Sequence, residues 1–430
     1  MTHFGLLCPA ASGHLNPMTS LGHALRQRGH RVTLLTIADG RAKALAAGLE
    51  FAPIGASESP EGSTRALFAR LGELSGPAAF RATLAHFQQA TRLVLRDGPP
   101  ALRQLGVDAL VIDQTSFGGA SIAQALDLPF VSVSCALLLN QEPDVPPVNT
   151  GWRYRPVWWA RLRNQLGYAV LGQLARPIRE IVADYRQRMG LPRLSDPSQA
   201  YSQLLQLCQQ PAALDFPRRQ LPDCLHFTGP LTNPASRERA EFPWARLTGQ
   251  PLIYASMGTI QNRQLGMFET IAAACRRLDA QLVIALGGGC RPEDLPPLPG
   301  SPLVVGFAPQ LDLLQRASLT ITHAGLNTVL ESLAQGVPMV AIPIANDQPG
   351  VAARVAWSGC GAVVPLKQLS EERLRQAIDR VRQDGSARHN AQRLQLEIQR
   401  SGGVQRAADL VEQAIRAGQP LLRGAVETGQ

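Results

Sequence analysis

The chain has 430 residues, of which 45% are hydrophobic and 17% are charged, and its formal net charge is +9. This length predicts two or three domains with sizeable cores. No zinc finger, recognition helix or aromatic-glycine RNA motif accompanies the positive charge, so we expect no nucleic-acid partner. Arg-rich solvated faces, or attraction to an anionic membrane surface, explain the charge better.

Seven cysteines are scattered along the chain without a C-x-x-C pair. This pattern indicates reduced thiols in a cytoplasm and argues against a disulfide framework or a zinc site. No apolar run reaches the roughly 18 residues that a membrane-spanning helix needs. The N-terminal apolar run at residues 4–11 fits a first strand better than a signal peptide. We therefore predict a cytoplasmic protein.

Strand-like and helical segments alternate from the N-terminus to about residue 135. The β-prone runs lie at residues 4–8, 32–36, 109–112 and 130–134. Helical patterns separate them, for example at residues 17–28 and 118–126. This alternation predicts a doubly wound α/β domain with a parallel sheet, which binds ligands at the carboxyl ends of its strands.

Two polar residues stand where strands of this domain end. His14 lies in a predicted loop at residues 11–17, with Pro17 suited to the first turn of the next helix, and Asp113 follows the strand at residues 108–112. A neutral histidine is a base near pH 7, and a carboxylate behind it would fix its tautomer and stabilise the imidazolium. The sequence alone does not bring the two together, and a structural or solvated histidine is the competing interpretation.

Residues 136–230 are less regular, and one segment in them combines aromatic rings with cations. Residues 151–163 contain Trp152, Trp158 and Trp159 among four arginines. Tryptophan interleaved with arginine suits the headgroup zone of a bilayer, which predicts peripheral contact with the inner membrane face. The alternative is tryptophan packed in the core or lining a ligand cleft, with solvated arginines beside it.

The rest of the chain predicts a linker, a second α/β domain and a final helix. We divide the sequence into a first domain at residues 1–230, a linker at 231–246, a second domain at 247–402 and a final segment at 403–430. Strands of the second domain are predicted at residues 252–255, 281–286 and 303–305. The final helix has its apolar residues on one face and is followed by a mobile tail after Leu422.

Residues 317–350 are the most informative stretch. A β-prone run at 319–322, a helical pattern at 328–335 and an apolar run at 338–344 predict a β-α-β unit. The loop before the helix offers free backbone N–H groups and the positive helix end, a place where a diphosphate fits.

Several residues of this stretch can bind an anion or a sugar. Gly325 lets the backbone come close to a ligand, while side-chain donors are supplied by His323, Asn327 and Thr328. The alternative is that Thr328 and Glu331 form a helix capping box with no ligand. Asp347 and Gln348 end the second strand and can hydrogen-bond a polyhydroxyl ligand, or form an ordinary polar turn.

The ordered pattern T-H-A-G-L-N-T-x-x-E-S-L-x-x-G-V-P-M-V, followed by D-Q, resembles the nucleotide-sugar signature of the family-1 UDP-glycosyltransferases. Residues 305–310, V-G-F-A-P-Q, resemble the opening of the same signature. The resemblance implies a GT-B fold, in which two Rossmann-like domains face each other and the active site lies in the cleft between them. It also implies that the last helix crosses back to the first domain.

The resemblance implies donor-binding roles for the matching residues. Phe307 would stack on the uracil with Gln310 beside the base, and Glu331 would bind the ribose hydroxyls. The phosphates and the transferred sugar would be held by Ser256, Gly258, Thr259, His323, Gly325, Asn327, Thr328, Asp347 and Gln348. A plain strand-to-helix turn is the alternative for residues 256–259. Plant members usually carry Trp where Phe307 and Leu326 stand, a departure that bears on base and sugar preference.

Family members carry a catalytic His in a G-H-x-x-P context and an Asp at a later strand end, which match His14 and Asp113. The resemblance therefore implies an inverting transfer in which His14, oriented by Asp113, deprotonates an acceptor hydroxyl. The chain contains no D-x-D triplet, so we expect no metal at the diphosphate. No cofactor is expected beyond UDP-glucose as co-substrate.

Acceptor-side segments narrow the resemblance. Residues 128–137, 140–144 and 214–217 look like those of the bacterial zeaxanthin glucosyltransferases. They imply a hydrophobic, hydroxylated small-molecule acceptor, namely zeaxanthin or a related xanthophyll in carotenoid glycoside biosynthesis. A polyketide, flavonoid or sterol acceptor stays open, as do two other classes of protein. These are a nucleotide-sugar 2-epimerase and a non-catalytic protein that binds UDP or carotenoid.

Overall fold

The chain folds around two parallel β-sheets in a computed structural model that describes residues 1–74, 76–238, 240–259 and 265–423. The strands of the first sheet are β1 (His3–Leu7), β2 (Arg31–Thr36), β3 (Glu50–Pro53), β4 (Ala109–Asp113), β5 (Phe130–Ser134), β6 (Gln206–Cys208) and β7 (Leu225–Phe227). Their spatial order is β3-β2-β1-β4-β5-β6-β7. The tail predicted after Leu422 lies, beyond Arg423, outside the described residues.

The second sheet follows the same design with six strands. They are β8 (Leu252–Ser256), β9 (Gln281–Ala285), β10 (Leu303–Val305), β11 (Ala317–Thr322), β12 (Met339–Ala341) and β13 (Gly361–Val363). Their spatial order is β10-β9-β8-β11-β12-β13. The central strands β1, β4 and β8 consist entirely of buried residues, as expected for parallel strands covered by helices on both faces. The predicted α/β architecture of two doubly wound domains is confirmed.

Helices pack on both faces of each sheet. Those of the N-terminal domain are α1 (Ser12–Gln27), α2 (Arg41–Ala46), α3 (Ser63–Glu73), α4 (Gly76–Leu105), α5 (Gly119–Ala125), α6 (Trp158–Leu174) and α7 (Arg176–Arg188). The later helices are α8 (Leu265–Cys275), α9 (Gln310–Leu314), α10 (Leu326–Ala334), α11 (Gln348–Ser358), α12 (Glu371–Gln383), α13 (Gly385–Arg400) and α14 (Gly403–Ala417). Among the described residues, no helix has the length and apolar character to cross a membrane.

Helix α1 begins earlier than predicted. It starts at Ser12, so the expected loop at residues 11–17 is wrong and His14 lies in the first helical turn. Pro17 sits inside the helix rather than at its start. Burial of Leu15 and Met18 in the core outweighs the weak helix propensity at the start of this segment.

Helix α10 also begins earlier than predicted. Its N-cap is Gly325, which has an extended backbone conformation, and no side-chain hydrogen bond caps the helix there. Thr328 is consequently the third helical residue and Glu331 the sixth, so the capping-box alternative is wrong. Both residues are buried, and their side chains make contacts away from the helix terminus.

Helix α14 packs against α1 at the back of the N-terminal domain. Val411 and Ala414 join the same core cluster as Leu21 and Leu25. Arg28 Nη1 lies 2.6 Å from an Asp409 carboxylate oxygen and 2.7 Å from a Glu412 carboxylate oxygen. The chain therefore returns to its first domain after completing the second.

The two domains are in direct contact through a small buried interface. Leu137 and Leu214 of the N-terminal domain belong to a core cluster otherwise made by the C-terminal domain. A Cβ at Gly350 would lie 2.1 Å from the Val148 carbonyl oxygen, so only glycine permits this approach. Buried Arg354 of α11 donates from Nε to Asp215 Oδ1 at 2.7 Å. These contacts fix the relative position of the loops that face the cleft.

Candidate active site

A cleft of about 1650 Å³ separates the domains where the carboxyl ends of the two sheets face each other. The predicted site residues that line it are His14, Ser256, Gly258, Thr259, Phe307, Gln310, His323, Gly325, Asn327, Thr328, Glu331, Asp347 and Gln348. Asp113 lies directly behind His14 and is fully buried. The structure thus gathers residues that are spread over more than three hundred positions of the sequence.

His14 and Asp113 form a hydrogen-bonded pair. His14 Nδ1 lies 2.9 Å from Asp113 Oδ2, and the His14 side chain is partly exposed to the cleft while Asp113 is not exposed at all. The contact arises because β1 pairs with β4, with Leu7 opposite Ile112. A carboxylate accepts only, so Nδ1 carries the hydrogen and Nε2 is the basic nitrogen.

The surroundings shift the pKa of both members of the pair. Burial lowers the pKa of His14, but the negative charge of Asp113 and its hydrogen bond outweigh burial, so this pKa lies above its ordinary value. Burial raises the pKa of Asp113, but the His14 charge and several hydrogen bonds hold it below its ordinary value. Asp113 is therefore ionised when His14 acts as a base.

Two further groups orient Asp113. The Thr115 backbone N–H donates to Asp113 Oδ1 at 2.7 Å. The Cys135 thiol also donates to Asp113, and burial together with the Asp113 charge raises the pKa of this thiol well above its ordinary value. His14, Asp113 and Cys135 offer possible ligand atoms within 4.8 Å of one another. The thiol and the Thr115 N–H both donate to Asp113, which in turn orients His14.

His323 is held between two glycines on the donor side of the cleft. A Cβ at either Gly258 or Gly325 would lie 2.5 Å from His323 Nε2, so both positions require glycine for this ring to fit. Burial lowers the pKa of His323 to about 4, and a hydrogen bond to the Ser256 backbone offsets only part of this decrease. The ring is therefore neutral near pH 7, and its Nδ1 has no hydrogen-bond partner among the described residues.

Phe307 presents an open ring face to the cleft. The residue is 60% exposed and lines the cleft. Gly288, with φ of +79°, lies under its edge, and a Cβ there would lie 2.6 Å from Phe307 Cζ. The glycine run at residues 287–289 therefore gives room to this ring, and the exposed ring is a platform for stacking a planar group.

A hydrogen-bond network fixes Glu331 at the floor of the donor side. Glu331 Oε1 accepts from Arg237 Nη2 at 2.6 Å, and Oε2 accepts from Gln310 Nε2 at 2.6 Å. Tyr254 donates to Gln310 Oε1 at 3.1 Å. Arg237 lies in the predicted linker and was not among the predicted site residues. Its only local signal was a cationic residue in a segment without regular structure.

Asp347 and Gln348 follow β12 and face His14. Asp347 Oδ2 accepts from the Leu137 backbone N–H at 3.3 Å, across the domain boundary. Burial raises the pKa of Asp347, partly offset by the Leu137 bond and by the His14 charge. Gln348 Oε1 accepts from the backbone N–H groups of Ile344 and Ala345 at 2.8 and 3.0 Å, which fixes the loop.

The two donor-side loops contain unusual backbone conformations. Ala324 has φ of +66° and Asn346 has φ of +55°, both in the left-handed region that favours glycine. Each residue immediately precedes a cleft-lining residue, Gly325 and Asp347 respectively. Strain of this kind concentrates at binding sites, where the surrounding structure holds the loop in one shape.

Asn327, like Asp347, bonds directly to the opposite domain. Its Nδ2 donates to the Gly13 carbonyl oxygen at 2.9 Å, and its Oδ1 accepts from Gln209 Nε2 at 2.8 Å. This side chain thus joins the donor loop to the helix that carries His14. Its predicted contact with a diphosphate stays a prediction.

The N-terminal side of the cleft is largely apolar. It is lined by Ile54, Leu67, Phe68, Phe80, Leu84, Phe87, Val94, Phe117 and Leu139. Phe87 and Phe117 pack edge to face with ring centroids 5.4 Å apart. This wall suits an apolar ligand whose polar end reaches His14.

Comparison with known proteins assigns the chain to a family. The family model described as UDP-glucoronosyl and UDP-glucosyl transferase matches residues 161–404, more than half of the chain. A second model, the glycosyltransferase family 28 N-terminal domain, matches residues 11–95. The chain therefore belongs to the UDP-glycosyltransferase family and is an enzyme of that class, rather than an epimerase or a protein that only binds its ligands.

Two relatives are similar over almost their whole length. The zeaxanthin glucosyltransferase of Pantoea ananas is 33% identical over 426 residues, which cover 99% of this chain and 98% of that protein. The zeaxanthin glucosyltransferase of Pseudescherichia vulneris is 34% identical over 421 residues, with 96% and 98% covered. The solved structure of CalG4, the calicheamicin glycosyltransferase, matches with a TM-score of 0.75 at 24% identity, covering 98% of this chain and 100% of that one. That match confirms the GT-B fold.

Proposed function

We propose that this enzyme is an inverting, metal-independent glycosyltransferase that moves glucose from UDP-glucose to a hydroxyl group of zeaxanthin or a related xanthophyll. The reaction rests on one observation, the 2.9 Å contact of His14 Nδ1 with Asp113 Oδ2 beside the interdomain cleft. The acceptor class is supported by the similarity to two zeaxanthin glucosyltransferases and by the apolar wall of the cleft.

The proposed reaction is a direct displacement. His14 Nε2 takes the proton from the acceptor hydroxyl while that oxygen forms a bond to the anomeric carbon of glucose. The bond between this carbon and the β-phosphate oxygen breaks, and UDP leaves with the electron pair. Asp113 stabilises the imidazolium until the proton passes to solvent. Attack opposite to the leaving group inverts the configuration of the anomeric carbon.

The donor side supplies the charge compensation that the leaving group needs. The N-terminal turn of α10 begins at Leu326 and points unpaired N–H groups and the positive helix end at the cleft. His323 and Thr328 line the same part of the cleft and add side-chain donors. With these groups in place the proposed reaction uses no metal and no cofactor.

We assign the rest of the donor as follows. The exposed ring of Phe307 stacks on the uracil with Gln310 beside it, and Glu331 binds the ribose hydroxyls. Asp347 and Gln348 hold the glucose hydroxyls opposite His14. We also place the enzyme in the cytoplasm, since all seven cysteines are free and six of them are buried.

The test is turnover of zeaxanthin in detergent micelles with UDP-glucose, comparing the wild type with His14→Ala and reading the carotenoid products by mass. We expect products heavier by one or two hexoses, which His14→Ala loses. His389→Ala is the matched control, because His389 is an exposed histidine of α13 outside the cleft. A chelator should leave the rate unchanged.

Different results of this experiment test the acceptor assignment and the donor assignment. A wild type that hydrolyses UDP-glucose but leaves carotenoids unmodified refutes the acceptor, and a panel of polyketide, flavonoid and sterol hydroxyl compounds then identifies the class. A wild type that transfers from another nucleotide sugar and not from UDP-glucose refutes the donor. A product that retains the donor's anomeric configuration refutes the single displacement.

A further inference from the structure

Helix α6 exposes a row of large apolar side chains. They recur at every fourth position and are Trp158, Leu162, Leu166, Val170 and Leu174. Trp158 is 77% exposed and Leu166 is 60% exposed. A surface helix normally turns such a row toward the core, so an apolar row facing outward over four turns needs a partner.

The opposite side of α6 is firmly attached to the N-terminal domain. Asn164 Nδ2 donates to the Pro143 carbonyl at 3.0 Å, and the Tyr168 hydroxyl donates to the Val145 carbonyl at 3.0 Å. A Cβ at Gly167 would lie 3.0 Å from the ring of Trp152. The apolar row is therefore held outward by specific contacts and does not result from loose packing of the helix.

Four arginines lie in and just before α6, and three of them lack an acidic partner among the described residues. Residues 151–174 contain four arginines and no Asp or Glu. Arg163 lies 4.7 Å from the ring centroid of Trp152, and Arg155 lies 5.9 Å from that of Trp159. Arg161 is paired with Asp144 at 3.2 Å, whereas Arg153, Arg155 and Arg163 have no acidic group within 4.0 Å among the described residues. The positive charges near the start of α6 are therefore available to bind an external anion.

We infer that α6 docks this enzyme on the surface of an anionic lipid bilayer. The helix has 17 residues, and Arg161 and Arg163 in its second turn favour a position parallel to the bilayer plane. Trp158 and the leucines enter the headgroup and acyl boundary, while the arginines contact lipid phosphates. The sequence pointed to the tryptophans and arginines alone, and the structure extends the surface along the helix to Leu174.

A second copy of the chain fits this surface less well. Two-fold association through α6 would bring the same unpaired arginines of both copies together. A neutral apolar row would favour such a dimer, whereas uncompensated positive charge opposes it and favours an anionic membrane. Docking would also place the enzyme at the phase in which a carotenoid acceptor dissolves, a consequence that rests on the proposed function.

The test is co-sedimentation of the full chain with vesicles of phosphatidylcholine, and with vesicles of phosphatidylcholine and phosphatidylglycerol in equal parts, over a salt series. We expect binding to the anionic vesicles that weakens as salt rises. Leu162→Gln with Leu166→Gln should weaken binding by roughly tenfold, because two apolar side chains no longer enter the lipid. Arg153→Gln with Arg155→Gln should weaken it by roughly 25-fold, at about fivefold for each charge.

Matched controls carry the same changes on other surfaces. Leu45→Gln with Leu396→Gln removes two exposed leucines, and Arg388→Gln with Arg416→Gln removes two exposed arginines. Both controls should bind like the wild type. UDP binding should be equal in all variants, so a failure to bind lipid is distinct from a failure of the proposed function.

Three outcomes would overturn the inference. The first is a wild type that does not bind anionic vesicles at low salt. The second is binding that the α6 variants and the controls weaken equally. The third is a dimer of the wild type in solution that Leu162→Gln with Leu166→Gln dissociates while vesicle binding is absent, which would assign the surface to self-association.

Discussion

Asn327 Nδ2 donates a hydrogen bond across the cleft to the carbonyl oxygen of Gly13, at 2.9 Å. In an unbroken helix this carbonyl would accept from the backbone N–H of residue 17. Residue 17 is proline, which has no N–H and whose ring pushes the carbonyl four residues earlier away from the helix axis. The proline thus leaves an acceptor one residue before His14, and the donor loop uses it.

Pro17→Ala should change stability and activity in opposite directions. The restored N–H competes for the Gly13 carbonyl, which strengthens α1 by up to about 3 kcal/mol and weakens the bond from Asn327. Loss of one neutral hydrogen bond predicts a decrease in kcat/KM for UDP-glucose of roughly twofold to tenfold. Thermal unfolding and steady-state kinetics measure the two effects.

Gln27→Ala, an exposed change near the end of the same helix, is the control and should leave kcat/KM unchanged. If Pro17→Ala raises the melting temperature and leaves kinetics unaltered, the contact of Asn327 with Gly13 has no role in turnover.

Activity should rise with pH through the ionisation of His14. The Asp113 charge holds the pKa of His14 above its ordinary value, so the base is protonated and inactive on the acid side. Asp113→Asn removes that charge and leaves burial, which lowers the pKa of His14, so the acid limb of kcat/KM should move to lower pH. The plateau should fall by roughly 100-fold, because the imidazolium is no longer stabilised.

The pH profile distinguishes the role of Asp113 from a simple loss of structure. A misfolded variant has a lower plateau of kcat/KM, but the acid limb of its profile stays at the same pH. Asp279→Asn, at an exposed position, should reproduce the wild-type profile. An acid limb that stays in place in Asp113→Asn would mean that another group sets it.

Arg237→Met should weaken donor binding more than it slows the chemical step. Arg237 and Gln310 each hold one oxygen of Glu331, whose proposed partner is the ribose. Loss of a hydrogen bond between charged groups predicts a KM for UDP-glucose that is roughly tenfold higher. Arg246→Met, an exposed arginine of the same linker, is the control. Equal KM values in the two variants would remove Arg237 from the donor site.

Arg354→Met should destabilise the protein by about 3 kcal/mol, because the buried Asp215 loses one of its two cationic partners and keeps only Arg218. Denaturant unfolding measures the change. Arg375→Met breaks an exposed pair with Glu372 and should have no measurable effect. Asp215→Asn with Arg354→Met should recover part of the loss, and a double variant as unstable as Arg354→Met would contradict the pairing.

The same pair predicts a pH dependence of stability. Burial raises the pKa of Asp215, but the charges of Arg354 and Arg218 hold it below its ordinary value. The pair therefore stabilises the fold above the unfolded pKa of about 3.9, and this contribution is lost as pH falls through the lower folded pKa. Asp215→Asn should flatten the decrease of the melting temperature in that acid range.

Long apolar runs made the central strands predictable. The run at residues 130–134 coincides with β5, and the run at residues 109–112 lies within β4. The strands β3, β6, β7 and β13 were missed, because each is a segment of three or four residues at or next to a sheet edge and its pairing comes from neighbouring strands. The start of α1 was also missed, since burial of its first turns overrides local propensity.

The site was predictable where one continuous motif carries it, and not where two distant segments meet. Residues 323–331 and 347–348 were identified from their order in the chain, and all of those named line the cleft. Their individual roles stay predictions. The contact of Arg237 with Glu331 joins residues 94 positions apart and leaves no local pattern. The outward row on α6 was equally hidden, because periodicity shows a face without showing which way it points.

Two of the bonds between the domains join a side chain of the C-terminal domain to a backbone group of the N-terminal domain, and this has a consequence for recombination between relatives. The C-terminal domain contributes the side chains of Asn327 and Asp347, whereas Gly13 and Leu137 contribute only a backbone carbonyl and a backbone N–H. Every residue except proline offers both groups. An N-terminal half with different acceptor-side chains can therefore be joined to this donor half and keep those two bonds, so the acceptor range can diversify while the donor machinery is inherited intact.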